Sequence, residues 1–310
     1  MDSPTRLTIG MPVYNAERYL SQALDSILSQ RFENYQILIS DNNSTDQTKH
    51  ICQAYADRDP RIVYLQQKRN VGAAYNFNFL VEKASTPYFR WACHDDILEP
   101  DCLEACVSVL DDHPDVVLAY TDSVMIDDHG IPWERDFYQP NMHLMHDEPH
   151  IRFQKYMWGY LQGGMCNPLY GVHRTEVLAR TGLIRAYPAS DLVLLGEIAL
   201  SGKVYKIEEP HFLRRYHQQS STVANKTDEA IAAWFDSTKK APIVCRYSQA
   251  ALGYLAAIRR TLPVSREQFR CLRVLLMTYL RTHRSKLMKE FMLWLRHQSA
   301  KLRPTSRFRE

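Results

Sequence analysis

The most pointed chemical signal in this sequence is a pair of adjacent carboxylates, Asp95-Asp96, set directly after the strand-like run Pro87–Ala92. Neighbouring carboxylates repel unless positive charge sits beside them. A hard divalent cation satisfies both and keeps coordination sites for phosphate oxygens. The plainer use of the pair is to cap a helix beginning near Glu99. Three polar runs precede it: Met11-Pro12-Val13-Tyr14-Asn15 with Glu17, Ser40-Asp41-Asn42-Asn43-Ser44-Thr45-Asp46, and Arg69-Asn70-Val71-Gly72. Two more follow. Ser190-Asp191 opens a helical run, where Asp191 can cap the helix. Arg214-Arg215-Tyr216-His217 is a basic and aromatic run that by itself reads as a surface loop.

The elements that must position these runs alternate. Leu7–Val13, Gln36–Ser40, Arg61–Leu65, Pro87–Ala92 and Val116–Thr121 are short apolar or β-branched stretches that read as strands. Between them, Ala16–Gln30, Asp46–Asp57, Ala73–Lys83 and Pro100–Leu110 carry helical spacing. Strand, helix, strand repeated in this way predicts an α/β fold with a mostly parallel sheet covered by helices on both faces. Ligands in open sheets of that kind collect at the carboxyl ends of the strands. Tyr14-Asn15, Asp41–Asn43, Asn70 and Asp95-Asp96 all follow strands, so they are expected to converge on one crevice. The pattern weakens from Asp122 to Pro149, and becomes mixed between 151 and 225 with a helix over Asp191–Ser201. Beyond Ala224 it is almost entirely helical.

Four of these runs, in order and in register, resemble the inverting family 2 glycosyltransferases with the GT-A fold, a Rossmann-like nucleotide-diphospho-sugar transferase. The resemblance spans roughly the first 220 residues. It implies a catalytic domain over 1–225, with a nucleotide-sugar-binding half over 1–122 and an acceptor half over 123–225, followed by a basic, helical C-terminal extension over 226–310. It also implies roles. Pro12, Tyr14, Asn15 and Glu17 would lie against the nucleoside, with the Tyr14 ring facing the base. Asp41 would accept a hydrogen bond from that base, most often uracil, in a pocket shaped by Asn43 and Ser44. Asn70 and Gly72 would border the ribose and diphosphate, where glycine permits close approach. Asp95 and Asp96 would hold Mn²⁺ or Mg²⁺ and the diphosphate, with Arg215 and His217 as phosphate or metal partners. Asp191 would be the base. Asn167, beside Gly163-Gly164-Met165-Cys166, and Trp158 are candidate acceptor contacts, Trp158 by stacking on a sugar ring.

The chain departs from the family pattern at two positions. Cys93 stands where relatives carry an acidic residue, and Ser190 stands where relatives carry Glu. These departures keep open a catalytically silent nucleotide-sugar binder. A nucleotidyltransferase of similar fold would bring a Gly-rich, Lys-containing loop after the first strand, and Pro12-Val13-Tyr14-Asn15 is not one. The partners implied are a nucleotide-sugar donor and a saccharide or lipid-linked acceptor, in cell-surface polysaccharide or glycolipid synthesis.

Composition adds limits. Hydrophobic residues make up 45% and charged residues 24%, which is ordinary globular material. Net charge is +3, but unevenly spread: residues 226–310 hold 18 Lys+Arg against 6 Asp+Glu, while the first 225 are acidic on balance. The basic tail carries no nucleic-acid-binding motif, and nucleic acid is not expected as a partner. It can pack as helices on the body or on a second copy in a homo-oligomer. It can also form a basic amphipathic surface against an anionic membrane. The seven scattered Cys show no paired CxxC units, so reduced thiols are expected. With no signal-peptide pattern and no spanning apolar run, the expected location is cytoplasmic, with peripheral contact at the inner face of the membrane as the amphipathic alternative.

Overall fold

The computed structural model describes residues 4–133, 141–161, 167–225, 227–238 and 244–301. Gly163-Gly164-Met165-Cys166 lies outside the described residues. Among the described residues, eight strands form one sheet: β1 Leu7–Val13, β2 Tyr35–Asp41, β3 Ile62–Gln66, β4 Tyr88–Trp91, β5 Ile97–Leu98, β6 Val116–Ile126, β7 Val172–Arg174 and β8 Lys203–Arg215. Their spatial order is β3-β2-β1-β4-β7-β6-β8-β5. β3, β2, β1 and β4 run parallel, as do β6 and β8, whereas β7 and β5 pair antiparallel with their neighbours. This is the expected α/β sheet, with one reversed strand, β7, in the half the periodicity left mixed and another, β5, in the regular half.

The helices are α1 Leu20–Leu28, α2 Thr48–Ala56, α3 Ala73–Lys83, α4 Cys102–Asp112, α5 Pro149–Leu161, α6 Thr175–Ala179, α7 Ser190–Ser201, α8 Ser221–Ala224, α9 Asp228–Phe235, α10 Arg246–Thr261, α11 Arg266–Leu275 and α12 Arg281–Lys301. Side chains alternate across a strand, so each strand feeds two cores. Leu7, Ile9, Met11 and Val13 of β1 pack on one face with Leu24 and Ile27 of α1 and Cys102, Leu103 and Cys106 of α4. Phe89 and Trp91 of β4 point to the other face, against Leu80 of α3, Phe153 and Tyr156 of α5 and Leu194 and Ile198 of α7.

That second core does not stop at residue 225. Tyr254, Ala257 and Ile258 of α10 and Cys271 and Leu275 of α11 are buried in it. α10 packs on α7 and α11 on α5. Fully burying a large apolar side chain contributes roughly 1.5–3 kcal/mol, so these helices are held as part of the body. Among the described residues, no helix is long and apolar enough to cross a membrane.

Two local expectations change. No helix starts at Glu99: Asp95-Asp96 runs into β5, paired with Phe212 and Leu213 of β8, and α4 begins at Cys102 after Asp101. The pair is therefore not a helix cap. The strand expected to end at Thr121 continues to Ile126, because β8 pairs along its whole length through register shifts near Thr121 and Asp122.

Candidate active site

Parallel pairing sends the loops after β1, β2 and β4 out of the same sheet edge. Val13 lies beside Asp41 and Gly10 beside Trp91. The first two loops lock together. The Asn15 amide donates to Ser44 Oγ at 3.0 Å, and the Thr45 amide donates to Asn15 Oδ1 at 2.9 Å. Glu17 Oε2 accepts from the Gln47 amide at 2.9 Å. Asn15 and Asn43 have φ of 49° and 63°, a left-handed conformation that Asn tolerates better than most residues. Asp41 is fully buried; one oxygen accepts from the Ser44 amide and hydroxyl, the other from the Tyr64 hydroxyl at 2.7 Å. Tyr14, two residues beyond Pro12, is 45% exposed at this edge. Asn70 Oδ1 accepts from Asn42 Nδ2 and from the Gly72 amide, tying the third loop to the second.

Gly72 has φ of 86°, and a Cβ there would strike the Phe235 carbonyl oxygen and Asp236 Cα. The close approach anticipated at this glycine is made here by the chain's own backbone at the end of α9. Ser237 Oγ also donates to the Asn70 carbonyl at 3.0 Å.

Asp95 and Asp96 sit at the end of β4 with Cys93, and ligand atoms of the three lie within 4.8 Å of one another. Asp95 Oδ2 lies 2.9 Å from His217 Nε2. Burial opposes the Asp95 charge, yet His94 and the His217 hydrogen bond hold its pKa below the usual carboxylate value. Asp96 Oδ1 accepts from the Arg215 amide at 2.8 Å. Burial, then the Asp95 charge, push the Asp96 carboxyl up to about 7. Cys93 is hydrogen-bonded to Tyr170 and Asp96, and burial pushes its thiol well up, as do the two aspartates. Two crowded carboxylates with one pKa raised are a donor set that a hard divalent cation fits. The Cys93 thiol, held in its protonated form, serves as a hydrogen-bond partner there.

Arg215 is buried at 3% exposure. Its guanidinium donates to the carbonyls of Asp95, Asp127 and Asp128 and to Gln22 Oε1, and stacks on Tyr19 at 4.5 Å. It clamps the carboxylate loop through its backbone. His217 packs on the same Tyr19 ring at 4.9 Å. Tyr19, directly before α1, thus joins the loop after β1 to the carboxylate pair.

A cavity of about 500 Å³ opens at this edge. Asp95, Asp96, Arg214 and Arg215 line one side, Asp191 and Leu192 another, and Trp234 and Phe235 of α9 with Arg246 of α10 complete the rim. Asp191 stands in the first turn of α7, where the helix dipole favours a negative charge. It is not the cap: that position is Ala189, at φ of 67°. Asp191 Oδ1 accepts from the Leu192 amide at 3.0 Å. Ser190 is buried and donates to the Arg185 carbonyl at 2.6 Å.

The remaining expected residues fall elsewhere. Asn167 is buried outside the cavity lining; its amide donates to Ser123 Oγ and accepts from Arg214 Nη1, both at 2.5 Å. It holds Arg214 at the wall. Trp158 of α5 is 56% exposed and lies outside the lining, as do Tyr14, Asn15, Asp41 and Ser44. Arg214 entered the sequence reading only as part of the Arg214–His217 run, and Trp234 and Arg246 were not singled out. Arg214 bonds Asn167, whereas Arg215 turns to the carboxylate loop. Trp234 and Arg246 carry no local signal, because their place depends on how α9 and α10 fold back.

Known proteins give a consistent comparison. The putative glycosyltransferase EpsE of Bacillus subtilis is 32% identical over 132 residues, which cover 42% of this chain and 48% of that protein. Glycosyltransferase GlyA of Streptococcus pneumoniae is 35% identical over 99 residues, 32% of this chain and 14% of that one. The matched segments thus span under half the length of these relatives. Among solved structures, TarS 1–349 of S. aureus in complex with UDP has a TM-score of 0.62 at 15% identity, covering 90% of this chain and 72% of that one. Mannosyltransferase PcManGT of Pyrobaculum calidifontis, in complex with GDP-Man and Mn²⁺, has a TM-score of 0.52 at 16% identity, covering 97% and 81%. These structures share the GT-A fold. The sequence model described as Glycosyl transferase family 2 matches residues 8–177, more than half of the chain, and the protein belongs to that family.

Proposed function

We propose that this protein transfers a sugar from a nucleoside diphosphate donor, UDP-linked by preference, to a hydroxyl acceptor with inversion at the anomeric carbon. The observation that carries this reading is that Asp95, Asp96 and Asp191, remote in sequence, line one cavity. Asp191 takes the acceptor hydroxyl proton as that oxygen attacks the anomeric carbon. The bond from that carbon to the diphosphate breaks on the opposite side, and the nucleoside diphosphate leaves with the bonding pair. Arg214 and Arg246, also on the wall, meet the charge that develops on the leaving group. Asp95 and Asp96 would hold a divalent cation, Mn²⁺ or Mg²⁺, which when bound neutralises the departing diphosphate. Tyr14, Asn15 and the Asp41–Ser44 turn would receive the nucleoside beside the cavity. One relative, named as a minor teichoic acid biosynthesis protein of Bacillus subtilis, supports a saccharide or lipid-linked acceptor.

The test is a thermal-shift screen of UDP-, GDP- and dTDP-sugars with and without manganese, followed by turnover with the donor that stabilises. Stabilisation by a donor only with the cation, and a product of opposite anomeric configuration by proton NMR, are the expected results. A retained anomer would overturn the inverting mechanism. Donor binding with no turnover on any acceptor would favour the silent binder, for which Cys93 at the carboxylate cluster is the specific observation.

A further inference from the structure

α12 docks on the body through polar side chains and leaves most of its apolar ones exposed. Its polar stripe faces the body. Glu290 accepts from the Tyr247 and Ser248 amides at 3.0 and 2.8 Å and from the Ser248 hydroxyl at 2.6 Å, at the start of α10. Lys286 Nζ donates to the Tyr247 hydroxyl at 2.8 Å and sits over its ring at 4.6 Å. His283, one turn earlier, packs between Tyr247 and Tyr279, with ring centroids 4.9 and 4.6 Å away. The apolar side chains instead point to solvent: Met288 is 61% exposed, Phe291 53%, Met292 47%, Trp294 47% and Leu295 40%.

At about 100° per residue Met288, Phe291, Met292 and Leu295 fall on one arc opposite Glu290, whereas Trp294, one turn on, lies near the Glu290 side. A contiguous exposed apolar face of this kind marks an interaction surface. Its charge identifies the occupant. Arg281 and Arg284 lie on or beside the arc, and Lys289 and Arg296 along its edge. The only acid in the helix, Glu290, is engaged by α10. Two copies of such a face would bring like charges together, whereas anionic headgroups would pair with them. An apolar face with aromatic side chains and a basic border is also the pattern of helices that lie in a bilayer interface.

We propose that the outward face of α12 seats on an anionic phospholipid bilayer, with Phe291, Met292, Met288 and Leu295 entering the headgroup boundary and Arg281, Arg284, Lys289 and Arg296 pairing with phosphates. This docking is independent of the chemistry assigned to the cavity. The experiment is flotation of the full chain with vesicles of phosphatidylcholine alone, or of phosphatidylcholine mixed equally with phosphatidylglycerol. Binding to the anionic vesicles only, weakened by added salt, is the expected result. Phe291→Ser with Leu295→Ser should abolish it, and Arg284→Glu with Lys289→Glu should lower it by roughly fivefold or more per charge. Both pairs should leave donor-induced thermal stabilisation unchanged, which separates lost docking from lost fold. Equal binding to neutral and anionic vesicles, or none at low salt, would overturn the proposal. So would a concentration-dependent dimer in sedimentation velocity that the Phe291→Ser, Leu295→Ser pair dissolves.

Discussion

His217 Nε2 lies 2.9 Å from Asp95 Oδ2, with side chains only 3% and 14% exposed. His217 Nδ1 accepts from the Gln219 amide at 3.3 Å, so in the neutral ring the proton sits on Nε2 and is donated to Asp95. The imidazole therefore sets the direction of a carboxylate that would grip the cation. Groups that orient a metal ligand typically change affinity by about 10–100-fold when removed. His217→Ala should weaken manganese binding, titrated calorimetrically with nucleoside diphosphate present, by that amount. His217→Gln, which keeps a donor, should recover part of it. An unaltered affinity in His217→Ala would show that Asp95 needs no orienting partner.

Asp191 makes a sharper separation between binding and chemistry. It shares the cavity with Asp95 and Asp96 but sits on a different element, α7. Asp191→Asn keeps the size and the hydrogen bond from Leu192 while removing the base. Turnover should fall by about 10²–10⁴-fold, with donor affinity changed by less than about twofold, within the scatter of a near-isosteric surface change. Stopped turnover accompanied by lost donor binding would assign Asp191 to the donor site instead.

Much of this arrangement could be read in the chain. β1 and α3 have the bounds that period and punctuation indicate, because Gly72 and the apolar repeat after it leave one solution. The carboxylate pair was legible because it follows a strand in a parallel sheet. The failures have a common cause in long-range pairing. Ile97-Leu98 was read toward a helix because its strand exists only through β8, more than a hundred residues on. Arg214 was not distinguished from Arg215, since β8 was not legible as a strand and its alternation could not be applied. Trp234 and Arg246 reach the cavity only because α9 and α10 return across Gly72 and α7, a tertiary fact with no local pattern.

Asn167 and Arg214 supply a coupled prediction. The amide holds the guanidinium at 2.5 Å and is itself anchored on Ser123. If Asn167 acts through Arg214, its removal should raise the donor KM by about tenfold, the size of one lost charge-assisted hydrogen bond. Arg214→Ala should cost more. The Asn167→Ala, Arg214→Ala double variant should be no worse than Arg214→Ala alone, since contacting residues in one network are not additive. Full additivity would give Asn167 a separate contact with substrate.

His173 sets the acid limit of the fold. It is buried between sheet and helix, edge-on to Trp91 at 5.7 Å, and its Nε2 lies 2.9 Å from the Leu169 carbonyl. Burial, the largest cause, pushes its pKa down from 6.5 to about 4. The unfolded chain therefore takes up a proton near pH 6.5 that the folded chain refuses until about pH 4. Stability from this group is fully present above that window and lost as pH falls through it, by on the order of 3 kcal/mol. Urea unfolding at pH 7, 5.5 and 4.5 should show the decline. His173→Gln can still donate to Leu169 but does not titrate, so it should start less stable at neutral pH and fall less steeply on acidification. A parallel decline in both proteins would move the acid sensitivity to another group.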